Sequence, residues 1–246
     1  MLNNDLDKAK LLISVKNEHE VNLVKDYADI IDLKNSEDGP LGSLNINDIE
    51  KIIKKFGDKF IYSATLGNMM EKSELKNKIL CFDSLGLNYI KVGFFLNSQS
   101  KFNKFLECIS QIKLKTKIVL VVFAENTDLI VEIKKNLNVL KEYRIQNLLI
   151  DTINKASSGL TEIYKYEFLR NLVLKAKNDH IKIGLAGKIE LSHLYSLLYI
   201  NPHVIGLRGA VCQSNERSKK ILKKKVLRVY QLFKSHNNNA HAVAGA

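Results

Sequence analysis

Residues 89–123 read YIKVGFFLNSQSKFNKFLECISQIKLKTKIVLVVF, and three segments stand out in them. Tyr89–Phe94 and Lys117–Phe123 are short, β-branched and aliphatic runs of strand length. Between them, Gln99–Ile112 carries apolar residues at helical spacing and follows a serine suited to an N-cap. Strand, helix and strand in this order predict a crossover unit whose two strands run parallel and whose outer faces are covered by helices.

The same rhythm extends in both directions. Leu11–Val15 (LLISV), Ile30–Lys34 (IIDLK) and Phe60–Ala64 (FIYSA) precede this unit as strands; Asn147–Asp151 (NLLID), Ile181–Leu185 (IKIGL) and His203–Leu207 (HVIGL) follow it. Helical patterns at Glu18–Tyr27, Ile46–Phe56, Lys72–Leu85, Thr127–Tyr143, Thr161–Lys177, Ile189–Tyr199 and Asn215–His236 occupy the intervals. Eight strand–helix pairs in 246 residues predict an α/β chain folded as a (β/α)8 TIM barrel, one domain over residues 1–236. A doubly wound open sheet is the alternative, because strand count does not prove closure. Asn237–Ala246 (NNNAHAVAGA) shows no periodicity and is expected to be a disordered tail.

Composition excludes several classes. No run of eighteen apolar residues is present, so no membrane span is expected. The polar start MLNNDLDKAK lacks the apolar run of a secretory signal. Cys81, Cys108 and Cys212 lie far apart without a CxxC, which argues against a disulfide framework or a zinc site and suits a reducing cytoplasm. The six histidines show no metal-ligand spacing, so no metal and no cofactor are expected. The net charge of +12 comes from lysines spread along the chain. That distribution predicts a basic surface and an anionic substrate rather than specific nucleic-acid binding, which needs basic residues on one face. The densest run, Ser218–Arg228 (SKKILKKKVLR), alternates with apolar residues and predicts the wet face of a terminal helix.

In such a barrel the active site lies at the C-terminal ends of the strands. A polar residue on the inner face there is costly unless it is paired or working. Asp32 and Lys34 alternate along the second strand and share a face. Lys91 sits mid-strand between apolar neighbours, where desolvation is expected to keep its amine neutral and make it a base or a nucleophile. Asp151 ends the sixth strand with Lys155 just beyond; a helix cap and a solvated lysine explain these two equally well. Strands seven and eight end in GLAGK, with Gly187 and Lys188, and in GLRGA, with Arg208 and Gly209. Barrels often bind phosphate in these loops, through backbone N–H groups that glycine leaves accessible, and Arg208 is placed to clasp the anion.

These residues also carry a family resemblance. Ala28–Ser43 (ADIIDLKNSEDGPLGS), Ser63–Asn68 (SATLGN), Tyr89–Gly93 (YIKVG), Ile150–Lys155 (IDTINK), Gly184–Gly187 (GLAG) and Ile205–Cys212 (IGLRGAVC) resemble, in order, the motifs of the (5-formylfuran-3-yl)methyl phosphate synthases of methanofuran biosynthesis. The resemblance implies a TIM-barrel lyase that condenses two molecules of glyceraldehyde 3-phosphate and releases phosphate and water. It implies a Schiff-base lysine at Lys34, a proton acceptor at Lys91, and supporting groups at Asp32, Asp151 and Lys155. The chain departs from the family pattern at Ser36, where proline is usual, at Ala156–Ser157, and at Lys188, where serine is common. A homo-oligomer is expected. The rival readings are another Schiff-base aldolase acting on triose phosphates, or a basic nucleic-acid-binding protein. The second rival needs exposed aromatic platforms among its basic residues, whereas Phe60, Tyr62, Phe94 and Phe123 lie in strand-like runs.

Overall fold

A computed structural model describes residues 8–68, 71–96, 98–154 and 158–244, the last six of these as backbone only. The described chain runs β1 (Lys10–Val15), α1 (Glu18–Val24), β2 (Ile30–Leu33), α2 (Ile46–Phe56), β3 (Tyr62–Thr65), α3 (Lys72–Asp83), β4 (Tyr89–Phe94), α4 (Gln99–Ser110) and β5 (Lys117–Phe123). It continues α5 (Thr127–Lys135), α6 (Val139–Glu142), β6 (Asn147–Asp151), α7 (Leu160–Ile163), α8 (Tyr166–Asn178), β7 (Lys182–Leu185), α9 (Leu191–Ile200), β8 (Val204–Leu207) and α10 (Lys223–Ala244). Every neighbouring pair of strands is parallel, and β1 pairs with both β2 and β8, so the sheet closes into one barrel and one domain. The open-sheet alternative is thereby removed.

Alternation along the strands separates two interiors. Ile13, Ile31, Ile90, Val122 and Ile150 point outward into a shell of apolar residues shared with the helices. The inner face carries a smaller cluster of Leu41, Val121, Phe123, Leu149 and Ala186, and with it the polar residues Ser14, Asp32, Ser63, Lys91 and Asp151. Leu41 comes from the loop after β2 and fills the space above Gly93 of β4. A Cβ on Gly93 would overlap the Leu41 side chain, so the strand is bare where the loop enters.

Element ends differ from the sequence pattern for local reasons. β3 starts at Tyr62, whose N–H donates to the Asn88 side chain at 2.8 Å. The expected helix 127–143 breaks after Lys135, where Asn136 leaves helical geometry and its amide donates to Glu132 at 2.8 Å. The expected helix 161–177 breaks at Tyr164, which is extended and anchors its hydroxyl on the Ala124 carbonyl at 3.0 Å.

The largest difference lies after β8. The terminal helix begins at Lys223 rather than Asn215, and it runs on to Ala244 through the stretch expected to be a disordered tail. Residues 209–222 instead form a strap of two 3₁₀ turns, Gly209–Val211 and Gln213–Asn215, closed by a bridge between Cys212 and Ile221. Ser214 and Asn215 stand at φ +54 and +59, a conformation that asparagine tolerates and that ends any helix there. The basic run is thus divided: Ser218–Leu222 belong to the strap, and only Lys223 onward to the helix.

The Tyr62 hydroxyl is buried in the outer shell with no hydrogen-bond partner among the described residues, and burial pushes its phenol pKa up. Tyr62→Phe keeps the ring and removes a desolvated group. It is expected to raise unfolding stability by about 1 kcal/mol. A urea midpoint at or below that of the parent would show that the hydroxyl is satisfied. No helix among the described residues is long and apolar enough to cross a membrane.

Candidate active site

A cavity of about 360 Å³ opens at the C-terminal ends of the strands, and Asp32, Lys34, Lys91, Asp151, Gly187, Lys188, Arg208 and Gly209 all line it. Lys155 lies outside the described residues, as do Ala156 and Ser157.

The lowest layer is built around Asp32, which is fully buried. One carboxylate oxygen accepts from the Ser63 hydroxyl at 2.6 Å and from the Lys91 amine at 2.8 Å. The other accepts from the Ser14 hydroxyl at 2.7 Å. The strands supply this arrangement by register: Ser14 pairs with Asp32, and Asp32 with Ser63, so three neighbouring inner faces meet at one level. Burial alone pushes the Asp32 carboxyl up. The charges of Lys91 and Lys34, with hydrogen bonds from Lys91 and Ser63, outweigh burial and hold it below the usual carboxylate range.

Lys91 and Lys34 are 5% and 8% exposed, so both amines work away from bulk water. Lys91, expected to lie desolvated between apolar neighbours, has the Asp32 carboxylate 2.8 Å from its amine. Lys34 follows the last residue of β2, and its N–H continues the ladder to the Val15 carbonyl at 3.0 Å. Asp151 ends β6, and one of its oxygens accepts the Thr152 N–H at 2.8 Å.

The rim is formed by the loops after β7 and β8. Gly187 has φ +102, and a Cβ there would come within 2.8 Å of the Thr152 methyl and 2.9 Å of its backbone nitrogen, so the turn admits only glycine without distortion. Lys188 follows at φ +52 and is exposed at the mouth. A Cβ on Gly209 would stand 2.6 Å from the Asn215 carbonyl, which lets the strap fold back tightly.

Arg208 lines the cavity, but its donors are engaged within the chain. Its Nη2 reaches Glu20 at 3.0 Å and the Lys219 carbonyl at 3.3 Å. Its Nη1 reaches the other Glu20 oxygen and the Ser14 carbonyl, and its Nε reaches the Arg217 carbonyl at 2.9 Å. Arg208 therefore ties the strap to β1 and α1, and the anion clasp expected of it has no N–H left to offer.

Sequence reasoning missed Arg217. It stands on the strap, lines the cavity, and donates from Nη2 to the Gly39 carbonyl at 2.7 Å. Burial lowers its guanidinium pKa; Asp151 opposes that and Arg208 adds to it. The signal was available in Ser214–Asn215, a pair that favours turns at the point where a helix was expected. Ser36 also has a use: its hydroxyl donates to the Arg217 carbonyl at 3.1 Å, a contact closed to proline. Among the described residues no group of three or more His, Cys, Asp or Glu side chains is arranged to hold a metal ion.

A closed barrel with buried lysines and carboxylates at its C-terminal mouth has the construction of a barrel enzyme. Residues 11–230 match the family model described as 4-HFC-P synthase, and the chain belongs to that family. It is similar to (5-formylfuran-3-yl)methyl phosphate synthase from Archaeoglobus fulgidus, 26% identical over 220 residues, covering 85% of this chain and 93% of the relative. The protein of that name from Methanobrevibacter smithii is 29% identical over 221 residues, covering 85% and 91%. Among solved structures, phosphoribosyl anthranilate isomerase from Thermus thermophilus superposes with a TM-score of 0.64 at 12% identity, covering 92% of this chain and 98% of that one. 3-Hexulose-6-phosphate synthase gives 0.55 at 14% identity, covering 89% and 99%. These structural likenesses speak for the fold alone.

Proposed function

We propose that this enzyme condenses two molecules of glyceraldehyde 3-phosphate into (5-formylfuran-3-yl)methyl phosphate, as a carbon–oxygen lyase of methanofuran biosynthesis working through a Schiff base on Lys34. Two triose phosphates become the furan by losing one phosphate and two molecules of water. The observation that carries the reading is the buried Asp32–Lys91 ion pair lining the same cavity as Lys34.

The ion pair suits a two-stroke use of Lys91. The Lys34 amine adds to the aldehyde carbon to give a carbinolamine. Lys91 protonates its hydroxyl, which leaves as water, so an iminium forms on Lys34 and Lys91 becomes a neutral amine. The iminium draws electrons from the adjacent carbon and acidifies its C–H bond. Lys91 takes that proton, leaving an enamine and restoring the ion pair with Asp32. The enamine can expel the phosphate two carbons along, or attack the second aldehyde. Asp151 and Lys155 are assigned to orienting amines and balancing charge. Backbone amides of the Gly187 and Gly209 turns, with Lys188, receive substrate phosphate. Arg208 holds the strap that completes this rim.

The test is incubation of the pure protein with glyceraldehyde 3-phosphate, following furan absorbance and released phosphate together. Both are expected to rise in equal amounts. Consumption of substrate into an aldol product without phosphate release would point to another Schiff-base aldolase instead.

A further inference from the structure

Two arginines line the cavity, and they are in opposite condition. Arg208 makes five hydrogen bonds, as many as its guanidinium has N–H groups. Among the described residues Arg217 makes one, to the Gly39 carbonyl at 2.7 Å. Its other four N–H groups have no acceptor there, although the residue is half-buried. Tyr62 Oη is the one buried, unpartnered side-chain polar atom among the described residues, so these Arg217 N–H groups are open to water, and an anion with paired oxygen atoms can take that water's place.

The chain also spends structure on placing this group. The Arg217 carbonyl is gripped by Arg208 at 2.9 Å and by Ser36 at 3.1 Å, and its side chain is seated on Gly39. The backbone of residue 217 is thus fixed from β8 and from the loop after β2, and the residue lines the cavity. The wall of that cavity carries five basic side chains against three acidic ones among the described residues, which favours an anion of more than one charge. A planar fork with paired N–H groups matches the oxygen spacing of a phosphate monoester.

We propose that Arg217 binds the phosphate of the aldehyde substrate, and that Arg208 is the positioning residue that presents it. The anion site follows from the geometry of the two arginines; the aldehyde half of the ligand rests on the function proposed above. This assignment moves the arginine clasp from the end of β8 to the strap, nine residues beyond the one that the sequence pattern singles out.

The experiment uses the full chain and two ligands that separate the claims. Inorganic phosphate is titrated calorimetrically into the parent, Arg217→Gln and Arg217→Lys. Losing charged hydrogen bonds is expected to weaken phosphate binding about ten- to a hundredfold in the glutamine variant, and less in the lysine variant, which keeps the charge without the fork. In parallel, borohydride trapping compares glyceraldehyde 3-phosphate with unphosphorylated glyceraldehyde. Arg217→Gln is expected to need about tenfold more of the phosphorylated aldehyde for half-maximal trapping, and no more of the unphosphorylated one. A phosphate affinity within twofold of the parent overturns the proposal. So does an equal loss with both aldehydes, which would mean that Arg217 only holds the fold. A loss for free phosphate with unchanged dependence on glyceraldehyde 3-phosphate would overturn the assignment to substrate. If Arg217→Gln does not fold, the lysine variant carries the same comparisons. If the parent forms no adduct with either aldehyde, the Schiff-base reading fails and the phosphate titration still decides Arg217.

Discussion

Lys34→Arg is expected to abolish furan formation and, with it, every adduct trapped by borohydride at position 34. The substitution keeps the positive charge beside Asp32, so the fold and the carboxylate's surroundings should survive. What it removes is a nitrogen that can lose its proton and attack a carbonyl, since a guanidinium stays protonated at any pH at which the protein is folded. Lys91→Ala gives the contrasting outcome. It removes the group assigned to proton transfer, so turnover should fall by about 10²- to 10⁴-fold. An iminium should still form on Lys34, though slowly. Peptide mass spectrometry after reduction reads both variants. An adduct on Lys91 in the parent would exchange the two roles, and an active enzyme with no adduct on either lysine would end the Schiff-base mechanism.

Asp32→Asn should be nearly as damaging, and for a reason that stability measurements can separate from chemistry. The Asp32 carboxylate accepts from Ser14, Ser63 and Lys91 at once. The amide has no charge and presents its own N–H groups to hydroxyls that were donating. The buried Lys91 amine then lacks its counter-ion, and breaking such a pair costs about 3–5 kcal/mol. The dependence on pH has a definite sign. The Asp32 pKa in the folded protein lies below its unfolded value, near 3.9. Its stabilisation is therefore complete above about pH 4 and disappears as the pH falls through the folded value. Urea midpoints of parent and variant should stand far apart at neutral pH and converge in acid. A gap that stays constant into acid would mean that Asp32 is not the charged partner of the pair.

The barrel was legible because its evidence is repeated. Eight apolar runs with amphipathic intervals tolerate an error of one or two residues at each end, as at Phe60 and Tyr62, without changing the topology. Asp32, Lys34 and Lys91 were legible because helices and inward packing leave a charged side chain on a barrel strand few bland explanations. What the sequence concealed was partnership. Nothing in the spacing of Lys91 shows that Ser14 and Ser63 converge on the same carboxylate, since that follows from register between strands far apart in the chain. The strap was hidden by its composition. Lysines at helical spacing in residues 218–228 extend the pattern of α10 backwards, while two residues at positive φ and the bridge between Cys212 and Ile221 hold the strap out of the helix. Arg208 and Arg217 could be told apart only once Glu20 was known to occupy the first of them.

The bare strand position at Gly93 ties together two parts of the chain that would otherwise drift independently through mutation. A methyl group there occupies the volume of Leu41, and two residues before Leu41 lies Gly39, whose carbonyl seats the Arg217 side chain. Enlarging the strand residue first would lift the loop and unseat a guanidinium on the far side of the mouth. Shrinking Leu41 first removes the nearer obstacle to a later alanine at position 93, and the Phe95 ring, 2.8 Å from that methyl, then has only to turn aside. In lineages descending from this sequence the two replacements are therefore accessible in one order and barred in the other, a historical constraint written by excluded volume rather than by chemistry.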